Sequence, residues 1–350
     1  MDKGKSTKRK EVGKVILLVL IVAVVVGALT YFVGKSTAPT EKIVEEIRVP
    51  TEGPVIPYSV GTLDVRYTES DGRKVPARIY FPRGEIGKKY PGVVFCGGYM
   101  GYNTQYHIIP RELAKFGYVT IMFKPTQESS PISAIVKGIA GVWAEDMEDA
   151  ITYLMEESPV KNMVDTSRVG IIGHSLGGIT VSKVAAEDSR IKAGVILSCA
   201  DLSKLNQSKI PLQIQAADFD LGIAAALLNV PAFYQAEPPK QLIVIQGGTH
   251  NGFTAILDPY YPKPSWQNPI SIHYAIAWFD YYLKDDETAL ERIITPTERL
   301  SNAWYSMYDL GEGKQRMYGP LMSPEKRITL SEVAKELHIE PIGFGIEEEA

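Results

Sequence analysis

One hexapeptide concentrates the chemistry of this 350-residue chain: Gly173-His174-Ser175-Leu176-Gly177-Gly178. It follows the apolar run Val169-Gly170-Ile171-Ile172 and opens a stretch of helical character, so Ser175 is expected on a sharp strand-to-helix turn. Small residues two positions to either side let strand and helix approach. The turn lifts the hydroxyl to a helix N-terminus, where developing negative charge is stabilised. Such a serine is a candidate nucleophile, and it needs a base that is itself oriented by an acid.

In chains built around such an elbow, the acid and then the histidine follow the nucleophile. Of the five histidines, His250, His273 and His338 come after Ser175. His250 stands just beyond an expected strand at 242–245, in the loop Gly247-Gly248-Thr249-His250-Asn251-Gly252, which can hold an imidazole over a sheet edge. His273 falls in the last strong helix and His338 in the C-terminal tail, and both read as packing or surface residues. His107 precedes the elbow, in the helix after the third strand, with a minor substrate role open to it. His174 is expected to pack behind the turn.

For the acid, an expected strand from Pro211 to Ala217 runs into Asp218-Phe219-Asp220. Asp220 fits the usual distance from the strand better; Asp218 is the reserve and Asp201, after the preceding strand, a third choice. The oxyanion of a tetrahedral intermediate needs N–H donors, and the backbone of Leu176 is one candidate. The other is Tyr99, in the glycine-rich loop Cys96-Gly97-Gly98-Tyr99-Met100-Gly101, whose ring could also wall the acyl pocket.

These residues need a scaffold. Residues 60–67 and 74–81 alternate in character around Ser70-Asp71-Gly72 and predict an opening antiparallel hairpin. Strands are expected at 92–96, 118–123, 169–172, 193–198, 212–216 and 242–245. Helices are expected at 105–116, 145–156, 176–186 and 271–283. The alternation argues for an α/β fold, a mainly parallel central sheet with helices on both faces. Two apolar stretches, 131–143 and 221–233, are core helices or lids. Beyond residue 296 the pattern weakens to a short helix at 328–339 and an acidic terminus.

Apolar residues make up 45% and charged residues 22%, which supplies a core. The net charge of −4 gives no reason to expect nucleic acid as a partner. Cys96 and Cys199 each end an apolar run and read as buried thiols. No metal-ligand cluster, phosphate loop or dinucleotide fingerprint occurs in the sequence, so no cofactor is expected. Residues 15–33 carry no charge over nineteen positions, about the length that crosses a hydrocarbon core. Lys3, Lys5, Lys8, Arg9, Lys10 and Lys14 precede them, so the positive-inside rule predicts a cytoplasmic tail at 1–14 and an extracellular remainder. A cleaved signal peptide competes with this transmembrane anchor, although the flank is a poor cleavage site. A proline-rich spacer at 34–57, a catalytic body at 58–295 and an extension at 296–350 complete the expected organisation.

With these residues in place, the chain from about 88 to 290 resembles the polyester-hydrolase, cutinase and dienelactone-hydrolase-like branch of the α/β-hydrolases. Residues 160–169 leading into the elbow, Pro211 through Asp220, Gly247-Gly248-Thr249-His250, Ile276-Ala277-Trp278-Phe279 and Gly98-Tyr99 carry the likeness. It implies an α/β-hydrolase fold and cleavage of carboxylic esters through an acyl-enzyme on Ser175, with Asp220 at the catalytic aspartate. The chain departs from the branch in having Ser198-Cys199-Ala200-Asp201 where polyester hydrolases carry a tryptophan clamp. It also has no cysteine after Cys199 and has serine where dienelactone hydrolases use cysteine. A lipase or peptidase on the same machinery, and a surface-binding protein with a silent site, are the competing readings.

Overall fold

A computed structural model describes residues 57–99, 102, 105–126, 131–220, 228–255, 264–297, 300 and 306–317. The apolar segment 15–33, the basic tail, the spacer to residue 56, the expected helix at 328–339 and His338 lie outside the described residues. Among the described residues no helix is long and apolar enough to cross a membrane.

The opening hairpin forms as its alternation predicts. Strands β1 (Val60–Thr68) and β2 (Lys74–Pro82) pair antiparallel, with Tyr67 opposite Val75 and Val60 opposite Pro82. Gly72 takes φ +86° in the connecting turn, a conformation that suits glycine. From β3 (Tyr90–Cys96) onward, strands and helices alternate. These are α1 (Ile108–Lys115), β4 (Val119–Phe123), α2 (Pro131–Ala140), α3 (Val142–Thr152), β5 (Val164–His174), α4 (Leu176–Glu187), β6 (Ile191–Leu197), β7 (Leu212–Ala217), α5 (Asn229–Gln235), β8 (Lys240–Ile245), α6 (Gln267–Leu283) and α7 (Ala289–Ile294). Strands β9 (Ser306–Asp309) and β10 (Arg316–Met317) follow.

Among the described residues, ten strands join one sheet in the order β1-β2-β4-β3-β5-β6-β7-β8-β9-β10. The six from β4 to β8 run parallel, and antiparallel strands close both ends. The period of two sorts the buried runs onto opposite faces. Val93 and Phe95 join a cluster with Ile109 and Leu113 of α1 and Phe279 of α6; Val94 and Cys96 join Trp143, Met147 and Val181 on the other face. Both faces are therefore covered, which is why these strands read as unbroken apolar stretches. Each fully buried aliphatic or phenyl side chain contributes about 1.5–3 kcal/mol to that core.

Several elements differ from expectation, and three of them bear on the site's scaffold. Strand β5 begins at Val164, five residues early, because Asp165-Thr166-Ser167-Arg168 is polar although Val164 and Asp165 pair with Tyr90 and Pro91. The stretch 131–143 is not one lid helix: Gly141, at φ +105°, breaks it, and Trp143 is buried with its Nε1–H donated to the Thr126 carbonyl at 2.9 Å. The boundary expected at 295 falls short of the sheet. Strand β9 pairs with β8, and Met307, Tyr308 and Leu310 are buried. Four residues are too few to show a period, so the sequence pattern hid this strand.

Candidate active site

Every side chain of the site hangs from the C-terminal ends of parallel strands, the edge where an open α/β sheet presents its loops. Ser175 sits between β5 and α4 with φ +57° and ψ −120°, in the left-handed region that a serine adopts only under constraint. Gly173 makes the turn sterically feasible, since a side chain there would collide with the backbone of Gly177. The neighbouring glycine loop is equally tight. A Cβ on Gly98 would come within 2.9 Å of both the Ser175 Cβ and the Tyr106 hydroxyl oxygen.

His250 opens a short 3-10 turn beyond β8, and its ring reaches back over the elbow. Nε2 lies 3.0 Å from Ser175 Oγ, and Nδ1 lies 2.8 Å from Asp220 Oδ2. The imidazole retains 29% of its side-chain exposure, whereas the Asp220 carboxyl has none. Burial opposes charge on His250. The Asp220 carboxylate, through its charge and its hydrogen bond, outweighs that effect and holds the imidazolium above the ordinary histidine range.

The other candidates have other partners. Asp218, two residues before Asp220, turns away and accepts the Gly247 N–H at 2.6 Å, bracing the loop that carries His250. Burial pushes its carboxyl up. Asp201 is held by Lys183 at 2.8 Å and by the backbone and hydroxyl of Ser203. His273 lies in α6 against Tyr274, with burial pushing it down to about 4. His107 precedes α1 as its N-terminal residue. Both cysteines are free and buried.

His174 packs behind the turn, as expected of it. Its Nδ1 faces the Tyr106 hydroxyl at 2.7 Å, and that oxygen also accepts the Gly98 N–H at 3.0 Å. Through these two contacts the glycine loop, Tyr106 and the elbow form one buried unit. The His174 ring lies 4.6 Å from that of His250, and burial, with the neighbouring His250 acting in the same direction, keeps it neutral. Tyr99 is half-buried beside Gly98, and Leu176 is buried at the first position of α4, under Gly138 of α2.

Two residues at this centre were not singled out by sequence reasoning. Tyr106 carried no signal beyond its place near the glycine loop. Ser198, one residue past β6, was expected only as the end of an apolar strand. Its hydroxyl donates to Asp220 Oδ2, and its Oγ stands 3.3 Å from His250 Nδ1. A polar residue closing an otherwise apolar strand beside the elbow was the available sign.

A serine at a strand–helix elbow, on a mixed sheet covered by helices on both faces, defines an α/β-hydrolase. Comparison with known proteins narrows the class. The PET hydrolase-like family model matches residues 34–309. Cutinase 2 of Thermobifida cellulosilytica is 27% identical over 228 residues, covering 63% of this chain and 78% of that protein. Bis(hydroxyethyl) terephthalate hydrolase of Streptomyces coelicolor is 24% identical over 269 residues, 76% of this chain and 78% of that protein. Platelet-activating factor acetylhydrolase of Cavia porcellus is 27% identical over 225 residues, and this chain spans about half of its length, 51%. The chain belongs to the PET hydrolase-like family, and it is a carboxylic-ester hydrolase.

Proposed function

We propose that the chain is a membrane-tethered serine esterase in which Ser175, His250 and Asp220 form the catalytic triad. The observation that carries the triad is the unbroken line from Ser175 Oγ through the two His250 nitrogens to a fully buried carboxylate, with separations of 3.0 and 2.8 Å. His250 Nε2 takes the hydroxyl proton as Oγ attacks the ester carbonyl. The buried Asp220 stabilises the imidazolium that results. The backbone N–H groups of Tyr99 and Leu176 hold the oxyanion, and the α4 N-terminus favours the same charge. The imidazolium then protonates the leaving alkoxide, and water, deprotonated by the same nitrogen, releases the acid from the acyl-enzyme.

Residues 15–33 form a transmembrane anchor behind a cytoplasmic tail at 1–14, with the catalytic body beyond the 34–57 spacer on the outer surface. The charge-free length and the lysine-rich flank support this arrangement. The substrates are carboxylic esters that reach a membrane surface. Polyester and cutin oligomers belong to that class, and the names of the relatives support including them. The absence of a tryptophan at Ser198-Cys199-Ala200-Asp201 favours smaller esters over an extended polymer strand.

The test is hydrolysis of short p-nitrophenyl esters by the full chain in membranes. Ser175→Ala is expected to lower kcat by about 10⁴-fold or more while leaving KM nearly unchanged. Wild-type turnover in that variant would exclude the mechanism. Resistance of the protein to alkaline carbonate extraction checks the anchor, and release by carbonate would exclude it.

A further inference from the structure

The hydroxyl of Ser198 stands at the junction of the acid and the base, and the triad just described does not use it. Its proton goes to Asp220 Oδ2, the same oxygen that receives the His250 Nδ1–H. Having no second proton, Ser198 Oγ can only accept toward Nδ1, at 3.3 Å. Two donors thus converge on one buried carboxylate oxygen and fix which oxygen faces the imidazole.

The backbone that delivers this hydroxyl is held in an uncommon conformation. Ser198 has φ +74°, in the left-handed region, and is wholly buried. Its N–H is bound by the Gln215 carbonyl at 2.7 Å, and its own carbonyl accepts from Asn229 Nδ2 at 2.8 Å. A left-handed serine costs on the order of 1 kcal/mol and persists only where its surroundings over-determine it. Here the surroundings aim one hydroxyl at one carboxylate.

We propose that Ser198 is a positioning residue for ester hydrolysis, a fourth member that fixes Asp220 against His250 and tempers the negative charge the imidazole senses. The proposal rests on the triad reading given above. Its electrostatic consequence has a definite sign. A donor to Asp220 draws charge away from the oxygen facing Nδ1, so removing it strengthens the pull on the imidazolium and raises the pH at which His250 becomes neutral. Among the described residues, Asp220 is the charged group facing His250. His174, whose ring is tilted against that of His250 at 4.6 Å, is kept neutral by burial and by His250 itself, and the Cys199 thiol is pushed up to about 12 by burial, then Asp220 and Asp201. Neither carries charge in the working range. A lesion that merely loosened Asp220 would act oppositely, weakening the pair and lowering that pH.

The experiment compares Ser198→Ala, Ser198→Gly and Ser198→Cys in the full chain, each alone and with Asp220→Asn. Glycine suits a positive φ, so that variant separates loss of the hydroxyl from backbone strain; cysteine keeps the volume with a weaker donor. The Ala and Gly variants are expected to lose about tenfold in kcat with KM within about twofold. The acid limb of kcat/KM should move to higher pH, less so in the Cys variant. With Asp220 already replaced, removing the hydroxyl should add less than about a twofold change, the non-additivity of a shared unit. A folded Ser198→Gly with wild-type kcat and an unmoved limb overturns the proposal. A limb that moves down, additivity with Asp220→Asn, or failure of all three variants to fold does the same. Fluorophosphonate labelling of the wild-type protein separates the two levels: an unlabelled, inactive wild type removes the triad reading itself and Ser198 with it.

Discussion

Ser175 and Ser198 end neighbouring parallel strands, take positive φ values of 57° and 74°, and flank the same imidazole. Each also donates its N–H to the next strand in the sheet, Ser175 to Leu197 at 3.0 Å and Ser198 to Gln215 at 2.7 Å. Yet the two hydroxyls are suited to opposite work. Ser175 is half-buried, meets the Nε2 side of His250, and has the twelve-residue helix α4 beginning immediately behind it. Ser198 is wholly buried on the Nδ1 side, is followed by a loop, and has its proton committed to a carboxylate. On the mechanism proposed above, a positive-φ serine at the end of a parallel strand does not by itself make a nucleophile. Access, a base with a free nitrogen and a helix N-terminus must coincide there.

The largest expected effect that sharpens this contrast comes from the residue both serines depend on. Asp220→Asn keeps the shape but removes the charge that orients His250, and kcat should fall by about 10³–10⁴-fold. The pH profile should move as well. Burial opposes charge on His250 and Asp220 outweighs it, so the wild-type acid limb is expected above the ordinary histidine value; without that charge, burial alone acts and the limb should shift to lower pH. This is the direction opposite to that expected for Ser198→Ala. A wild-type kcat in Asp220→Asn would remove the acid from the triad.

Stability should separate the two serines by sign. Ser175→Gly relieves a left-handed serine and gives up one half-exposed hydrogen bond, so Tm should rise by about 2 °C while activity is lost. Ser198→Gly relieves a similar strain but strips a donor from a buried carboxylate, which is worth about 1.5–3 kcal/mol, so Tm should fall. Thermal unfolding followed by circular dichroism reads both. A fall for both, of equal size, would mean that the strain at the elbow is not a reservoir that function draws on.

How far these roles are legible in the sequence follows the reach of their partners. The elbow was legible because strand, glycines and helix are contiguous, and the hairpin at 60–82 was legible because its period of two is local. His250 was found by its place after a strand in a glycine-rich loop. Asp220 and Asp218 could be ranked by distance from β7 but not separated further, because the choice turns on side-chain direction. Ser198 escaped because its partners lie 22 and 52 residues away, and a serine ending an apolar run has no periodic signature. Strand β9 escaped because four residues show no pattern, and its pairing with β8 is a property of the assembled sheet.

The smallest effect tests the two aspartates against each other. Asp218 holds the loop carrying His250 through the Gly247 N–H, and an amide oxygen can accept that bond as a carboxylate does. Asp218→Asn should therefore leave kcat within about threefold of wild type, far from the loss expected at Asp220. Its pH dependence is more informative. Burial raises the Asp218 carboxyl in the folded protein, so the native state binds protons there that the unfolded state has already released. Across the window between the unfolded and folded values, wild-type stability falls as pH rises, and the neutral asparagine avoids that fall. Asp218→Asn should match wild type in acid and gain on it toward neutral pH, as measured by urea unfolding at a series of pH values. A loss of kcat approaching that of Asp220→Asn would instead transfer the orienting role to Asp218 and leave Ser198 bonded to the wrong carboxylate.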